Sequence, residues 1–587
     1  MSAKKRLYGK LAGFTMLSFI TLGLASAANA EFIDQWVTGS YFEEDTASRR
    51  GLFLKYIATG PEAGVLFAAY YTYDETTGEP FWVTGSNAVK AGDFSVDMDL
   101  ILVEGGSFGA VVGNPVTTDA QWGTATVTVN SCSNITWSWT SPNVADGTLT
   151  QSNIQEVVNG VPNSQCVYQE AFTGCPDFAT AGADERTCVI AGGEYTQDLH
   201  LTNDTLWALN GAVFIGTKDN ANNSNAIYIE PGTRIIGIDQ SILGISRGAK
   251  IFAEGTPTAP IVMSGVNTAS DPVNPGRAGD WGGLTINGKA PINTCNTIGA
   301  CSAEGEGESG LYGGDDPNDS SGVLRYLRVQ FAGILFTDEN ELNGIALQGV
   351  GRGTVIENVQ VHANADDGIE FFGGTVNARN LVLTDIEDDS VDWTQGYEGR
   401  LQNVLVIQAG NVEIGADKGI EADNLEANND AENRAKPWIS NATFVGRPDT
   451  TAAVFRRGTG VNFSNSIFTG FGKCIDIDDS STFTNAGTPS DLSGNTTMEN
   501  TILDCDSNFV EESGDPWTVQ AWFEAQSGNM QLNPNLEGVF PPASAPYLKG
   551  YPLDMEKFDS FFQNYDHIGA FSSAKSAWTH GWTLQDF

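Results

Sequence analysis

The chain has 587 residues, with 30 basic and 73 acidic side chains and a formal net charge of −43. That balance excludes general nucleic-acid binding and attraction to anionic lipid, since both need a basic face to displace counterions. Charged residues are only 18% of the total and hydrophobic ones 41%, while glycine numbers 67, so the composition is that of a folded, turn-rich, all-β protein rather than an acidic disordered tail. The four histidines, His200, His362, His567 and His580, form no local zinc motif. Metal chemistry, if present, therefore uses oxygen ligands.

Residues 1–30 read as a secretory signal peptide. Lys4, Lys5, Arg6 and Lys10 precede an apolar run from Leu11 to Leu24, and Ala28-Asn29-Ala30 closes it as a cleavage signature. Removal takes four bases and no acid, so the net charge moves from −43 to −47. No cysteine stands at the cleavage point to carry a lipid. The expected destination is the extracellular medium or the outer cell surface, with the periplasm as a further possibility.

Residues 31–170 read as a small antiparallel β-sandwich or barrel. Strands are expected at 51–56, 65–73, 79–83, 125–129 and 135–139, on alternation and turn spacing. Trp137 and Trp139 are two apart and share one strand face. With Trp82 and Trp122 they offer a sugar-stacking platform, although aromatic core packing is the favoured reading. The stretch FAAYYTYD (67–74) with GEPFWV (78–83) resembles an N-terminal β-module common in secreted bacterial proteins.

Eight cysteines in an oxidising compartment suggest four bridges. Sequence does not fix the pairing. The economical expectation joins nearest neighbours: Cys132–Cys166, Cys175–Cys188, Cys295–Cys301 and Cys474–Cys505. The second of these falls in a linker, residues 171–190.

From 191 to about 540 a repeat appears. GLTIN (283–287), GIALQ (344–348), GIEFF (368–372), SVDWT (390–394), GIEAD (419–423) and CIDID (474–478) share one alternation, and the residues at 345, 369, 391 and 420 are 24, 22 and 29 apart. Second strands of the same type lie between them, at 354–361, 380–383, 402–407, 440–445 and 463–468. This period, with short strands and Asn/Gly turns, predicts a parallel β-helix in which each rung buries its apolar face on its neighbours. Residues 541–587 are expected to form a C-terminal cap.

Several segments, in one order over roughly 190–587, resemble the secreted and outer-membrane right-handed β-helix proteins of Gram-negative bacteria. They are IEPGT (229–233), RGAKIFAEG (247–255) with APIV (259–262), GDWGGL (279–284), NGI (343–345) with GVG (349–351), DDGIEFFGGTVN (366–377), HIGAF (567–571) and WTHGW (578–582). The resemblance implies a right-handed parallel β-helix and a secreted or surface location. It implies no reaction.

With Ile369, Val391, Ile420 and Ile475 pointing inward, alternation turns Glu370, Asp392, Glu421 and Asp476 outward. Asp423 and Asp478 follow on the same face, and Asp366, Asp367, Asp388 and Asp389 precede the first two rungs. Carboxylates one rung apart, about 4.8 Å, repel by roughly 3 kcal/mol at an effective dielectric near 20. Protons, arginines or a cation must answer that repulsion, and Ca²⁺ with its six to eight oxygen ligands suits the ladder. The candidate ligands are Glu370, Asp392, Glu421, Asp367, Asp389 and Asp423.

Two functions remain open. One is a secreted or surface-associated protein that binds an extracellular polysaccharide or envelope component with Ca²⁺, with outward aromatics such as Phe372 meeting sugar faces. The other is a Ca²⁺-dependent polysaccharide lyase, with Lys418, Arg400 or Arg456 as the base; a glycoside hydrolase is the weaker form of that alternative. The first is favoured, because no complete nucleophile or general-acid constellation is present and the acidic chain has few candidate bases.

Overall fold

The computed structural model describes residues 33–153 apart from 34–36, 44–50, 61–62, 74–79, 91–92, 107–113, 132–133 and 143–146. It describes residues 174–584 apart from 183–185, 266–275, 296–300, 338–339, 409, 411–414 and 556–557. The expected signal peptide and the expected Cys132–Cys166 bridge lie outside the described residues.

Eight strands form the N-terminal module: β1 (Gly39–Glu43), β2 (Gly51–Gly60), β3 (Ala63–Tyr73), β4 (Pro80–Lys90), β5 (Ser95–Gly106), β6 (Asn114–Ser131), β7 (Asn134–Thr140) and β8 (Gly147–Asn153). Each pairs antiparallel with the next, and β8 pairs back onto β1, so the sheet closes as a barrel. Period-two alternation sends Leu52, Leu54, Leu66, Ala68, Tyr70, Val83, Val127 and Trp137 inside. Each large apolar chain so buried stabilises the barrel by about 1.5–3 kcal/mol. The sequence reading passes over β5, where Asp97 and Asp99 depress strand propensity. The alternating Val96, Met98 and Leu100 nonetheless fill the interior.

The remainder is a parallel β-helix. Parallel pairings connect rung to rung along three ladders of strands. One ladder matches Leu284, Ile345, Ile369, Val391, Ile420, Ala453 and Ile475 in register, and all are fully buried in a continuous core. The other two ladders share the bent strands Val355–His362, Asn377–Thr384, Arg400–Ile407 and Trp438–Val445. The bend falls at Asn358, Asn380, Asn403 and Asn441, with φ of 58°, 62°, 60° and 55°. Asparagine tolerates this left-handed conformation. Its side chain also links rungs, since Asn380 Nδ2 donates to Asn358 Oδ1 at 2.9 Å and Asn403 Nδ2 to Asn380 Oδ1 at 2.8 Å.

Among the described residues three disulfides are formed, Cys175–Cys188, Cys295–Cys301 and Cys474–Cys505. Near the last rungs the short helix Val519–Glu524 inserts Val519, Trp522 and Phe523 into the core. The C-terminal segment returns along the side of the rungs. Gln402 and Gln563 exchange hydrogen bonds of 2.7 and 2.8 Å, and Asn441 and Asn465 donate to the carbonyls of His567 and Tyr551. Among the described residues no helix is long and apolar enough to cross a membrane.

Candidate functional site

The ladder through Ile369 and Val391 positions the acids. On its outer side the register is Ala346, Glu370, Asp392, Glu421, Val454, Asp476. Glu370, Asp392 and Glu421 therefore occupy three consecutive rungs. Asp476 is separated from them by the strand Thr451–Phe455, whose Val454 is apolar. That rung carries none of the Gly-and-acid punctuation of its neighbours, which is why the repeat pattern passes over it.

A second column stands two residues before each inward side chain: Asn343, Asp367, Asp389 and Lys418. Backbone bonds tie it together. The Asp389 N–H donates to Asp367 Oδ1 at 3.0 Å, and the Lys418 N–H donates to Asp389 Oδ1 at 2.7 Å. Asp367, Glu370, Asp389 and Asp392 thus make a two-by-two array of carboxylates on adjacent rungs. Neutral Asn343 and Ala346 bound it on one side, and Lys418 with Arg456 on the other.

This array is not a solvated stripe. Asp367, Glu370 and Asp389 are 7%, 9% and 3% exposed. Burial pushes Asp367, Glu370 and Asp392 well above the usual carboxylate range, and like-charged neighbours push them further. Burial also raises Asp389, to about 7, against the opposing pull of the Lys418 ammonium. Among the described residues no ion pair reaches Asp367, Glu370 or Asp392. Asp392 Oδ1 is buried without a hydrogen-bond partner.

The next rung differs. Lys418 Nζ lies 2.9 Å from Glu421 Oε2 and 3.4 Å from Asp389 Oδ2, and also contacts Asp417. Arg456 contacts Glu421 and reaches Asp423 Oδ1 at 3.0 Å, while Arg457 reaches Asp423 Oδ2 at 2.7 Å. Burial lowers Lys418, but Asp389 and Asp417 outweigh it and hold the ammonium above its usual range. Lys418 and Arg456 are therefore fixed counter-charges. Arg400 stands on another ladder, in the strand Arg400–Ile407, with its Nε 2.5 Å from Asp559.

Two residues missed by the sequence reading join the acids. Asn343 Nδ2 donates to Glu370 Oε2 at 2.7 Å and to Glu306 Oε2 at 3.0 Å. Asn343 was legible from the register, because it occupies the column of Asp367; Glu306 comes from an insertion with no repeat signal. With its amide nitrogen turned to two carboxylates, Asn343 leaves Oδ1 buried and unpartnered. Phe372, expected to meet sugar faces, points outward but is only 5% exposed, packed with Ile292, Cys301 and Tyr312. No sugar reaches its face.

The donor set fits a hard divalent cation. One oxygen each from Asp367, Glu370 and Asp392 lie within 4.8 Å of one another, as do oxygens from Asp389, Asp392 and Glu421. Oxygens on opposite sides of a Ca²⁺ ion with bonds of about 2.4 Å are separated by about that span. The unpartnered Oδ1 of Asp392 suits such an ion, which needs acceptors without competing protons.

A family model described as a pectate-lyase-like β-helix domain matches residues 193–583. No curated protein sequence matches the chain. Among solved structures, the catalytic domain of a GH87 α-1,3-glucanase in complex with tetrasaccharides matches at 10% identity. The match covers 83% of this chain and 92% of that one, with a TM-score of 0.29. The catalytic unit of a thermostable GH87 α-1,3-glucanase from Streptomyces thermodiastaticus strain HF3-3 matches at 12% identity, over 84% and 89% of the two chains, with a TM-score of 0.27.

Proposed function

The chain belongs to the pectate-lyase-like β-helix family, and from that premise we propose that it is a secreted protein that binds Ca²⁺ at Asp367, Glu370, Asp389 and Asp392. It binds an extracellular polysaccharide or envelope component. The observation that carries the reading is the array itself: four carboxylates on two adjacent rungs, with Asp392 Oδ1 buried and unpartnered. Glu421 and Asp423 belong to the rim of the site, where Lys418, Arg456 and Arg457 already answer their charge. A bound ion would neutralise the inner carboxylates.

Binding is favoured over lyase chemistry because no candidate base is placed to act. Lys418 and Arg456 are committed to carboxylates, and Arg400 pairs with Asp559 on a different strand ladder. A second reading, glycoside hydrolysis, is favoured by Asp389, which burial brings to about 7, beside Asp392, which burial also holds well above the usual carboxylate range. A carboxyl group near neutrality next to a second one is the arrangement of a general acid and its partner.

Calorimetric titration with CaCl₂, followed by incubation with a polysaccharide panel with and without chelator, tests the proposal. Calcium-dependent retention of a polysaccharide with no product release supports it. Absence of calcium binding overturns it, and release of reducing ends lost in Asp389→Asn moves the assignment to hydrolysis.

A further inference from the structure

We propose that the outer face of the N-terminal barrel, centred on Tyr71 and Trp82, is a second binding site, for an uncharged polysaccharide chain. Among the described residues eight large hydrophobic side chains are well exposed, and six of them, Phe53, Ile57, Tyr71, Tyr73, Trp82 and Ile101, stand on the four consecutive strands β2 to β5. Scattered exposed hydrophobics are ordinary, but a contiguous set marks an interaction surface.

The register gives the face a shape. Across the four strands one row reads Phe53, Ala69, Thr84, Ile101, large side chains flanking two small ones. In the next row Tyr71 lies directly opposite Trp82, with ring centroids 6.4 Å apart and planes inclined at 45°. Trp82 is 52% and Tyr71 50% exposed, so both rings are open to solvent. In the row on the other side of Ala69, Lys55, Phe67 and Ser86 are paired. A shallow strip results, floored by Ala69 and Thr84, walled by Phe53 and Ile101, and ended by two aromatic rings.

Charge selects the occupant. The strip itself has no charged side chain, Lys55 stands in the row of Ser86 beside it, and the chain as a whole carries −43. That field repels a uronate or phosphate polymer, an anionic bilayer and a second copy of the chain alike. A neutral pyranose chain meets no such penalty. Its C–H faces suit the Tyr71 and Trp82 rings, whose amphipathic character favours partly wet interfaces, and its hydroxyls suit Thr84 and Ser86.

The test is affinity electrophoresis of the full chain, in chelator, through native gels containing hydroxyethylcellulose, xyloglucan or polygalacturonate. At least one of the two neutral polymers should retard the protein and polygalacturonate should not. Tyr71→Ala with Trp82→Ala should weaken the retardation at least tenfold with an unchanged thermal melt, because both side chains are exposed. Glu370→Gln with Asp392→Asn should leave it intact, which separates this site from the calcium array. No retardation by either neutral polymer, or equal retardation of the Tyr71/Trp82 variant, overturns the proposal. So does a concentration-dependent dimer abolished by that variant, which would assign the face to a second copy.

Discussion

Lys418 stands one rung beyond Asp389, in the position that Asp389 holds beyond Asp367, and its backbone N–H donates to Asp389 Oδ1 at 2.7 Å. The column thus changes sign at its fourth member. The lysine ends the run of acids and turns its ammonium back onto Asp389 and Glu421. The two rungs below it have no such counter-charge of their own, and the cation site is assigned there.

Replacing Lys418 with Met keeps the aliphatic stem and removes the charge. Asp389 and Glu421, with side chains 4% and 12% exposed, then lose a buried partner, a change that typically costs about 3–5 kcal/mol. Chemical denaturation should show the loss at pH 7.5 and a smaller one at pH 5, where Asp389 takes up a proton. An equal loss at both pH values would mean that only packing had changed.

The ion-free protein should be most stable in mild acid. Asp389 is raised to about 7, and Asp423 and Asp476 to about 6, chiefly by burial. A carboxyl whose folded pKa exceeds its unfolded value of about 3.9 gives stability that is complete below that value. The stability is lost as pH rises through the folded pKa. Melting temperature in chelator should therefore fall between pH 5 and pH 8, and calcium should restore it at pH 8. A chelated protein that melts higher at pH 8 than at pH 5 would contradict the burial of these groups.

The rung alignment was legible because inward Ile and Val recur with acids at a fixed offset, and the paired positions of Glu370, Asp392 and Glu421 follow from it. What alternation does not encode is cover. It turns Glu370 and Phe372 outward, and tertiary packing against the insertion that carries Glu306 and Tyr312 then buries them. The sequence reading therefore expects an outward acid ladder and an outward aromatic open to sugar where the structure has a buried array and a packed ring. The rung Thr451–Phe455 escaped for the opposite reason: Ala452, Ala453 and Val454 form an unbroken apolar run with no acid to mark its phase.

The buried asparagine column should contribute measurably to stability. Asn403 has a left-handed φ of 60° and donates to Asn380. Asn403→Ala removes the bond and places a residue less tolerant of that conformation at the bend, at a cost of about 1–3 kcal/mol. Denaturant titration measures it. Asn403→Gly, which relieves the backbone but not the hydrogen bond, should recover part of the loss; a glycine variant no better than alanine would show that backbone strain contributes nothing.

Calcium binding to the folded state alone, at one hundred times its dissociation constant, adds about 2.7 kcal/mol. Glu370→Gln with Asp392→Asn removes two of the four inner charges and should abolish most of that gain. The same substitution relieves repulsion, so the variant should be no less stable than the parent in chelator. A variant that melts lower in chelator would mean that these carboxylates make structural bonds beyond those found.

The most direct measurement is a calorimetric calcium titration at pH 7.5 of the native chain and of the Glu370→Gln, Asp392→Asn variant. Binding to the native chain should be saturable, and it should be lost in a variant still folded by its melting curve. Native protein that shows no saturable binding, or a variant that binds calcium as well as the parent, would contradict the assignment of the ion to the array of Asp367, Glu370, Asp389 and Asp392.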